Sequence, residues 1–139
     1  MSDKEPDRLY IKKGDRKIYN KILGRGSPFY GMENKVPFLI SMLIGYQEGI
    51  RIPLGSNRDG WIRVDYLDEN EKYIIESITI ETEKNLDILL NMNEVYQIAE
   101  EYASGGLKLL QDEIFNPLNL ADYEKRLELL LTTIHKEIS

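Results

Sequence analysis

The chain has 139 residues, 42% hydrophobic and 30% charged, with a net charge of −6. That length and composition fit one folded domain with a buried core rather than a disordered chain. With no cysteine and a single histidine, His135, the sequence excludes disulfides, thiol catalysis and cysteine-based zinc or iron–sulfur sites, and any Ser–His–Asp or histidine metal site would have to be built on that one residue.

Residues 1–7 read as a flexible N-terminal tail without the apolar core of a signal peptide, and 8–139 as a single helical domain. Leu9 and Ile11 alternate with Tyr10 and Lys12, a short strand signal that Gly14 breaks. Asp15 is placed to cap a short helix with Ile18, Ile22 and Leu23 on one face and Arg16, Lys17 and Lys21 on the other. The glycine-rich stretch 24–34 is a loop in which Phe29 and Tyr30 are either exposed or tucked under. Asn34 is placed to cap the next helix, with Pro37 tolerated in its first turn. That helix, Val36 to about Gln47, is apolar on nearly every side, which marks a central core helix. Its apolar run is too short to span a bilayer. Residues 49–60 read as a polar loop. Trp61–Tyr66 alternates as a second short strand that can pair with Leu9–Ile11. Residues 73–80 are rich in β-branched residues, yet Asp68, Glu69 and Glu71 suit the start of a helix, so 68–83 is read as helical. A short helix over 85–90 follows. Asn91 or Asn93 then caps a long helix to about Ile114, with Val95, Ile98, Ala99, Tyr102, Gly106, Leu109, Leu110 and Ile114 facing inward. Asn116–Pro117 ends it, and an amphipathic helix over 121–138 closes the chain, with His135 favouring its C-terminus. The fold class expected is mainly α, a helical bundle with a small two-stranded β element.

Charge is divided by position. Residues 1–63 hold 12 Lys+Arg against 7 Asp+Glu, a net of +5, and residues 64–139 hold 6 against 17, a net of −11. Between Arg8 and Arg25 stand seven cations and one acid, Asp15. A basic arm on an acidic body can present itself to an anionic partner that the body repels. The nucleic-acid-binding candidates are Lys12, Lys13, Arg16, Lys17, Lys21 and Arg25, with Tyr10 and Tyr19 interleaved for stacking on bases. The alternative is a solvated helix face balanced by the acidic half, including within a homo-oligomer.

A second group lies in the long helix. Gly105 and Gly106 together cost about 2 kcal/mol against alanines in a helix interior, so close packing or a subunit interface should offset them. Glu100 and Glu101 point about 100° apart on a helix and cannot aim at one metal ion unaided. They read as a solvated face or as partners of the chain's own bases. With Tyr102, these residues form a candidate partner-binding or close-packing surface. Glu33-x-Lys35 with Asp15 has the composition of a Mg²⁺ nuclease motif but sits in a loop instead of on core strands, and GRGSPFYG lacks the context of a phosphate loop. No catalytic residue, metal site or cofactor is expected.

The stretch Val95-Tyr-Gln-Ile-Ala-Glu-Glu-Tyr-Ala-Ser-Gly-Gly-Leu107, followed by Leu109–Leu110, resembles a segment of the DNA phosphorothioation-associated protein 4 family of bacterial Dnd-type gene clusters. Ser104 stands where that family's pattern has Asn. Val36-Pro-Phe-Leu-Ile-Ser-Met-Leu-Ile-Gly-Tyr46, followed by Gly49 and Arg51, is similar to the family's apolar helix, and Leu86-Asp-Ile-Leu89 is a third likeness. The resemblance implies a non-catalytic, cytoplasmic accessory or DNA-contacting subunit of a phosphorothioation-linked restriction and antiphage defence system. Its partners would be other subunits of that system and DNA, with no membrane. The rival reading is a protein–protein adaptor that docks a basic partner through the acidic half and never touches DNA.

Overall fold

The computed structural model describes residues 6–115 and Thr132. The expected helix over 121–138, its His135 and the Asn116–Pro117 stop lie outside the described residues.

The architecture is mainly helical with one small sheet. Strand β1 (Arg8–Lys12) runs through a 3-10 turn into helix α1 (Arg16–Ile22). Helix α2 spans Lys35–Glu48, strand β2 Arg58–Arg63, helix α3 Glu69–Glu83 and helix α4 Met92–Ile114. β1 and β2 pair antiparallel, with Leu9 opposite Ile62, Tyr10 opposite Gly60 and Ile11 opposite Asp59. The register slips between Leu9 and Tyr10, which leaves Trp61 as the extra residue of a bulge. Strand β2 therefore begins at Arg58, inside the stretch expected to be loop, and Tyr66 falls in the 3-10 turn after it.

The start of α3 explains why propensity lost at 73–80. Asp68 accepts from the Glu71 amide at 2.8 Å, and Glu71 accepts from the Asp68 amide at 2.9 Å, a complete capping box. The apolar residues that follow then bury Ile75 and Ile78 on one face, which a β-rich composition alone does not favour. Asn91 caps α4 by accepting from the Glu94 amide at 3.2 Å. Two other expected caps are used differently. Asn34 holds the N-cap position of α2 without a side-chain capping bond, and its carbonyl accepts from Trp61 Nε1 at 3.2 Å. Asp15 stands at the N-cap of α1, also without a capping bond.

The core forms where α2 lies against α4, with β1, β2, α1 and α3 around them. Glycine makes that approach close. A methyl on Gly45 would stand 2.0 Å from the Tyr102 carbonyl oxygen, and one on Gly106 would stand 1.9 Å from that of Ser41. The helices thus meet backbone to backbone. The chain leaves α2 through Gly49 in the left-handed region (φ 70), and the Ile50 carbonyl oxygen lies 2.1 Å from where a Gly105 Cβ would be. Leu109, expected inside, is 37% exposed.

Candidate functional site

The basic arm is carried by β1, the turn after it and α1. Its cations serve different purposes. Arg16 Nε donates to Asp59 Oδ2 at 3.0 Å, its Nη2 donates to the Gly60 carbonyl at 3.3 Å, and its guanidinium lies 5.2 Å from the Trp61 ring centre. It joins α1 to β2. Lys21 lies over the Phe115 ring at 4.7 Å. Lys13, Lys17 and Arg25 are exposed and make no ion pair among the described residues. Lys12 is half-buried. Of the two tyrosines expected to stack on bases, Tyr19 is fully buried beside Trp61, with ring centres 5.1 Å apart, and cannot reach a base. Tyr10 is half-buried, with Arg58 over its ring at 4.7 Å.

Strand pairing adds cations that a linear count misses. Arg58 and Arg63 lie about fifty residues beyond Arg8, yet they face Lys12 and Arg8 across the ladder. The alternating apolar residues around Trp61 signalled the strand. Only the pairing shows that its arginines continue the arm.

The α4 segment 98–106 is spent largely on intramolecular contacts. Glu100 and Glu101 are buried, which corrects the reading of a solvated face, because each meets a donor from the basic half. Glu100 Oε2 accepts from the Tyr10 amide at 2.8 Å on the free edge of β1, and its Oε1 lies 4.0 Å from Arg58 Nη1. Burial is the main cause that pushes its carboxyl up to about 7. The Tyr10 amide and Arg58 pull it back, and the Glu101 carboxylate adds to the rise. Glu101 Oε1 accepts from Arg51 Nε at 3.0 Å and Nη2 at 2.7 Å, and its main-chain carbonyl accepts from the Ile52 amide. Tyr102 shares a 2.9 Å hydrogen bond with Thr82 and meets the Tyr46 ring edge-on at 5.7 Å. These three residues, with Gln47, Glu81 and Lys84, line a shallow cleft of about 390 Å³. Ser104 donates to Asp15 Oδ2 at 3.1 Å, which is where the expected α1 cap went. Burial raises the Asp15 carboxyl, and the Ser104 hydroxyl and Lys12 oppose the rise.

The nuclease-like trio is not gathered. Asp15 is bonded to Ser104, while Lys35 donates to Glu71 at 2.8 Å and to the Tyr66 carbonyl at 3.0 Å. Among the described residues no three acidic, histidine or cysteine side chains are spaced to hold a metal ion, and no helix is long and apolar enough to cross a membrane.

The stretches 36–51 and 95–107, on which the family resemblance rests, are therefore two sides of one contact. Gly45 meets Tyr102, Ser41 meets Gly106, Ile50 meets Gly105 and Arg51 meets Glu101. No curated protein and no solved structure matches the chain. A family model does match, across residues 12–138, and its description is DNA sulphur modification system-associated protein 4. The match takes in both sides of the α2–α4 contact and nearly all of the sequence, and the chain belongs to that family.

Proposed function

We propose that this protein is a non-catalytic accessory subunit of a DNA sulphur modification system, and that it touches DNA through the basic face formed by β1, the turn at 13–15 and α1. Family membership ties the chain to such a system. The observation that carries the DNA contact is the exposed trio Lys13, Lys17 and Arg25, unpaired among the described residues. Two acids of the same region are already committed, Asp15 to Ser104 and Asp59 to Arg16. Cations so placed can neutralise phosphates and release counterions, which makes affinity steeply salt-dependent. Other subunits of the system are its protein partners, and the work is done inside the cell, where that DNA lies.

A second reading has its own observation. Leu86 and Leu90 are 69% and 72% exposed, next to the acidic end of α3 at Glu81 and Glu83. An exposed apolar pair that follows an acidic helix end in the chain, with Glu81 already paired to Lys84, suits an adaptor that docks a basic protein. The two readings separate on a triple variant, Lys13→Glu, Lys17→Glu and Arg25→Glu, which spares the structural Arg16. Duplex binding at low salt should fall by at least tenfold while assembly with the other subunits persists. A parent protein that ignores DNA even at low salt rules out the DNA reading.

A further inference from the structure

We infer that the outer face of the β1–β2 sheet is a duplex-DNA seat, in which two like-charged cross-strand pairs grip the phosphates on either side of a groove. The inference rests on the DNA reading above and moves the main contact from α1 to the sheet.

The ladder sets Arg8 directly opposite Arg63 and Lys12 directly opposite Arg58. Residues directly opposite share a face of the sheet, and like charges there destabilise the pairing. A chain with a net charge of −6 has acids to spare, yet both ends of its only described ladder carry cation against cation. Compensation within the described residues is thin. Arg63 reaches Asp65 at 3.0 Å, but both side chains are more than half exposed, and such a pair contributes little. Arg58 Nη1 stands 4.0 Å from Glu100 Oε1, a loose pair. Arg8 makes no ion pair among the described residues, and Lys12 none within 4 Å, its charge answered only by the attraction of the half-buried Asp15. An unfavourable arrangement repeated at both ends of one short ladder is what an external anion would relieve.

The surface between the pairs is shaped to hold them out. Gly60 has no side chain opposite Tyr10, and the stem of Arg8 lies across it, with Cδ 2.9 Å from the position a Cβ would take. The Arg58 guanidinium rests on the Tyr10 ring. Arginine on an aromatic face keeps its charge and its outer N–H donors available to phosphate. Arg8 and Lys12 are four residues apart on one strand, about 14 Å at strand rise. That is close to the roughly 12 Å width of the B-DNA major groove. Each pair can therefore sit on one of the two phosphate strands that border the groove, with Tyr10 over the gap.

The experiment uses the full chain and a short mixed-sequence DNA duplex, followed by fluorescence anisotropy over a salt series, with a thermal melt of each variant. In the double variant Arg8→Thr, Arg63→Thr, the slope of log affinity against log salt should fall by roughly 1.8, because two phosphate contacts are lost. Its melting temperature should rise by about 1 to 4 °C, because a repulsive pair is gone. The charge-keeping variant Arg8→Lys, Arg63→Lys should retain the parent slope. Unchanged binding in the threonine variant, with a parent that binds, overturns the sheet seat and leaves the α1 reading standing. Lost binding with a lowered melting temperature also overturns it, since the pair then serves the fold. A parent that binds no duplex at low salt overturns both.

Discussion

Glu100 is a carboxylate in a place that suits a neutral group better. It is 5% exposed, its carboxyl is pushed up to about 7 chiefly by burial, and only the Tyr10 amide and a distant Arg58 favour its charge. In the unfolded chain it titrates near its ordinary 4.5. Between these two values the folded state holds more protons than the unfolded one, so stability falls as pH rises through that window. The stabilising share of Glu100 is whole below about 4.5 and gone above about 7. Asp15, raised mainly by its own burial, acts in the same direction. Glutamine at position 100 keeps an oxygen for the Tyr10 amide and removes the charge. Glu100→Gln should therefore leave stability near that of the parent at about pH 5 and raise it at about pH 8, by no more than about 3 kcal/mol. Thermal melts of both proteins across pH measure this. A difference that does not change with pH would sink the assignment.

At the scale of elements, the α2–α4 contact decides the fold, and its tolerance is measured in one methyl group. Gly106→Ala would place a Cβ 1.9 Å from the Ser41 carbonyl oxygen and 2.6 Å from the Gly45 nitrogen, all backbone atoms that move only if a helix moves. Alanine gains about 1 kcal/mol of helix propensity, but the overpacking exceeds it, and a net loss of roughly 2 kcal/mol or more is expected. Ser41→Ala is the control from the same contact. The Ser41 hydroxyl is buried, faces only the equally buried Tyr19 hydroxyl and makes no hydrogen bond of ordinary geometry among the described residues, so its removal should change stability by no more than about 1 kcal/mol in either direction. Denaturant midpoints of the two variants should move apart; equal losses would mean that the crossing is not glycine-limited. Much of this layout was legible in the sequence. The apolar period of α4, the all-round apolar α2 and Asp68 ahead of Glu69 and Glu71 pointed to the helices, and the alternation at 9–11 and 61–66 pointed to the sheet. The candidate site was less legible, because its parts come together only through pairing. Arg58 reads as loop until β2 is set against β1. Tyr19 reads as part of a basic face until Trp61 covers it. Adjacent glutamates read equally as a solvated face or as partners of the chain's own bases until the loop after α2 brings Arg51 to one and the edge of β1 and Arg58 meet the other.

For the whole molecule, the division between a basic N-terminal half and an acidic C-terminal half is also a set of seams. Arg51–Glu101, Lys35–Glu71 and Arg58–Glu100 each join one half to the other. Each reaches from the first half to a residue of α3 or α4. Attraction between the halves therefore contributes to their docking, while Lys13, Lys17 and Arg25 are left outside it. Arg51–Glu101 is the seam best placed to test this. Both donors of Arg51 converge on one oxygen, Gln97 reaches the other at 3.4 Å, and the Glu101 side chain is 11% exposed. Arg51 is 37% exposed, so water reaches the cation more readily than its partner. Removing the arginine strands a nearly buried carboxylate, which for fully buried pairs costs about 3 to 5 kcal/mol. Partial exposure here lowers the expectation for Arg51→Met to about 2 kcal/mol. The double variant Arg51→Met, Glu101→Met removes the stranded charge and should recover about half of that loss, giving a positive coupling in a double-mutant cycle. Measured at low and high salt, the coupling should survive screening in large part, because the carboxylate is shielded from solvent. A cost below about 0.5 kcal/mol that vanishes in salt would identify an ordinary surface pair, and the charge division would then act only toward partners outside the chain.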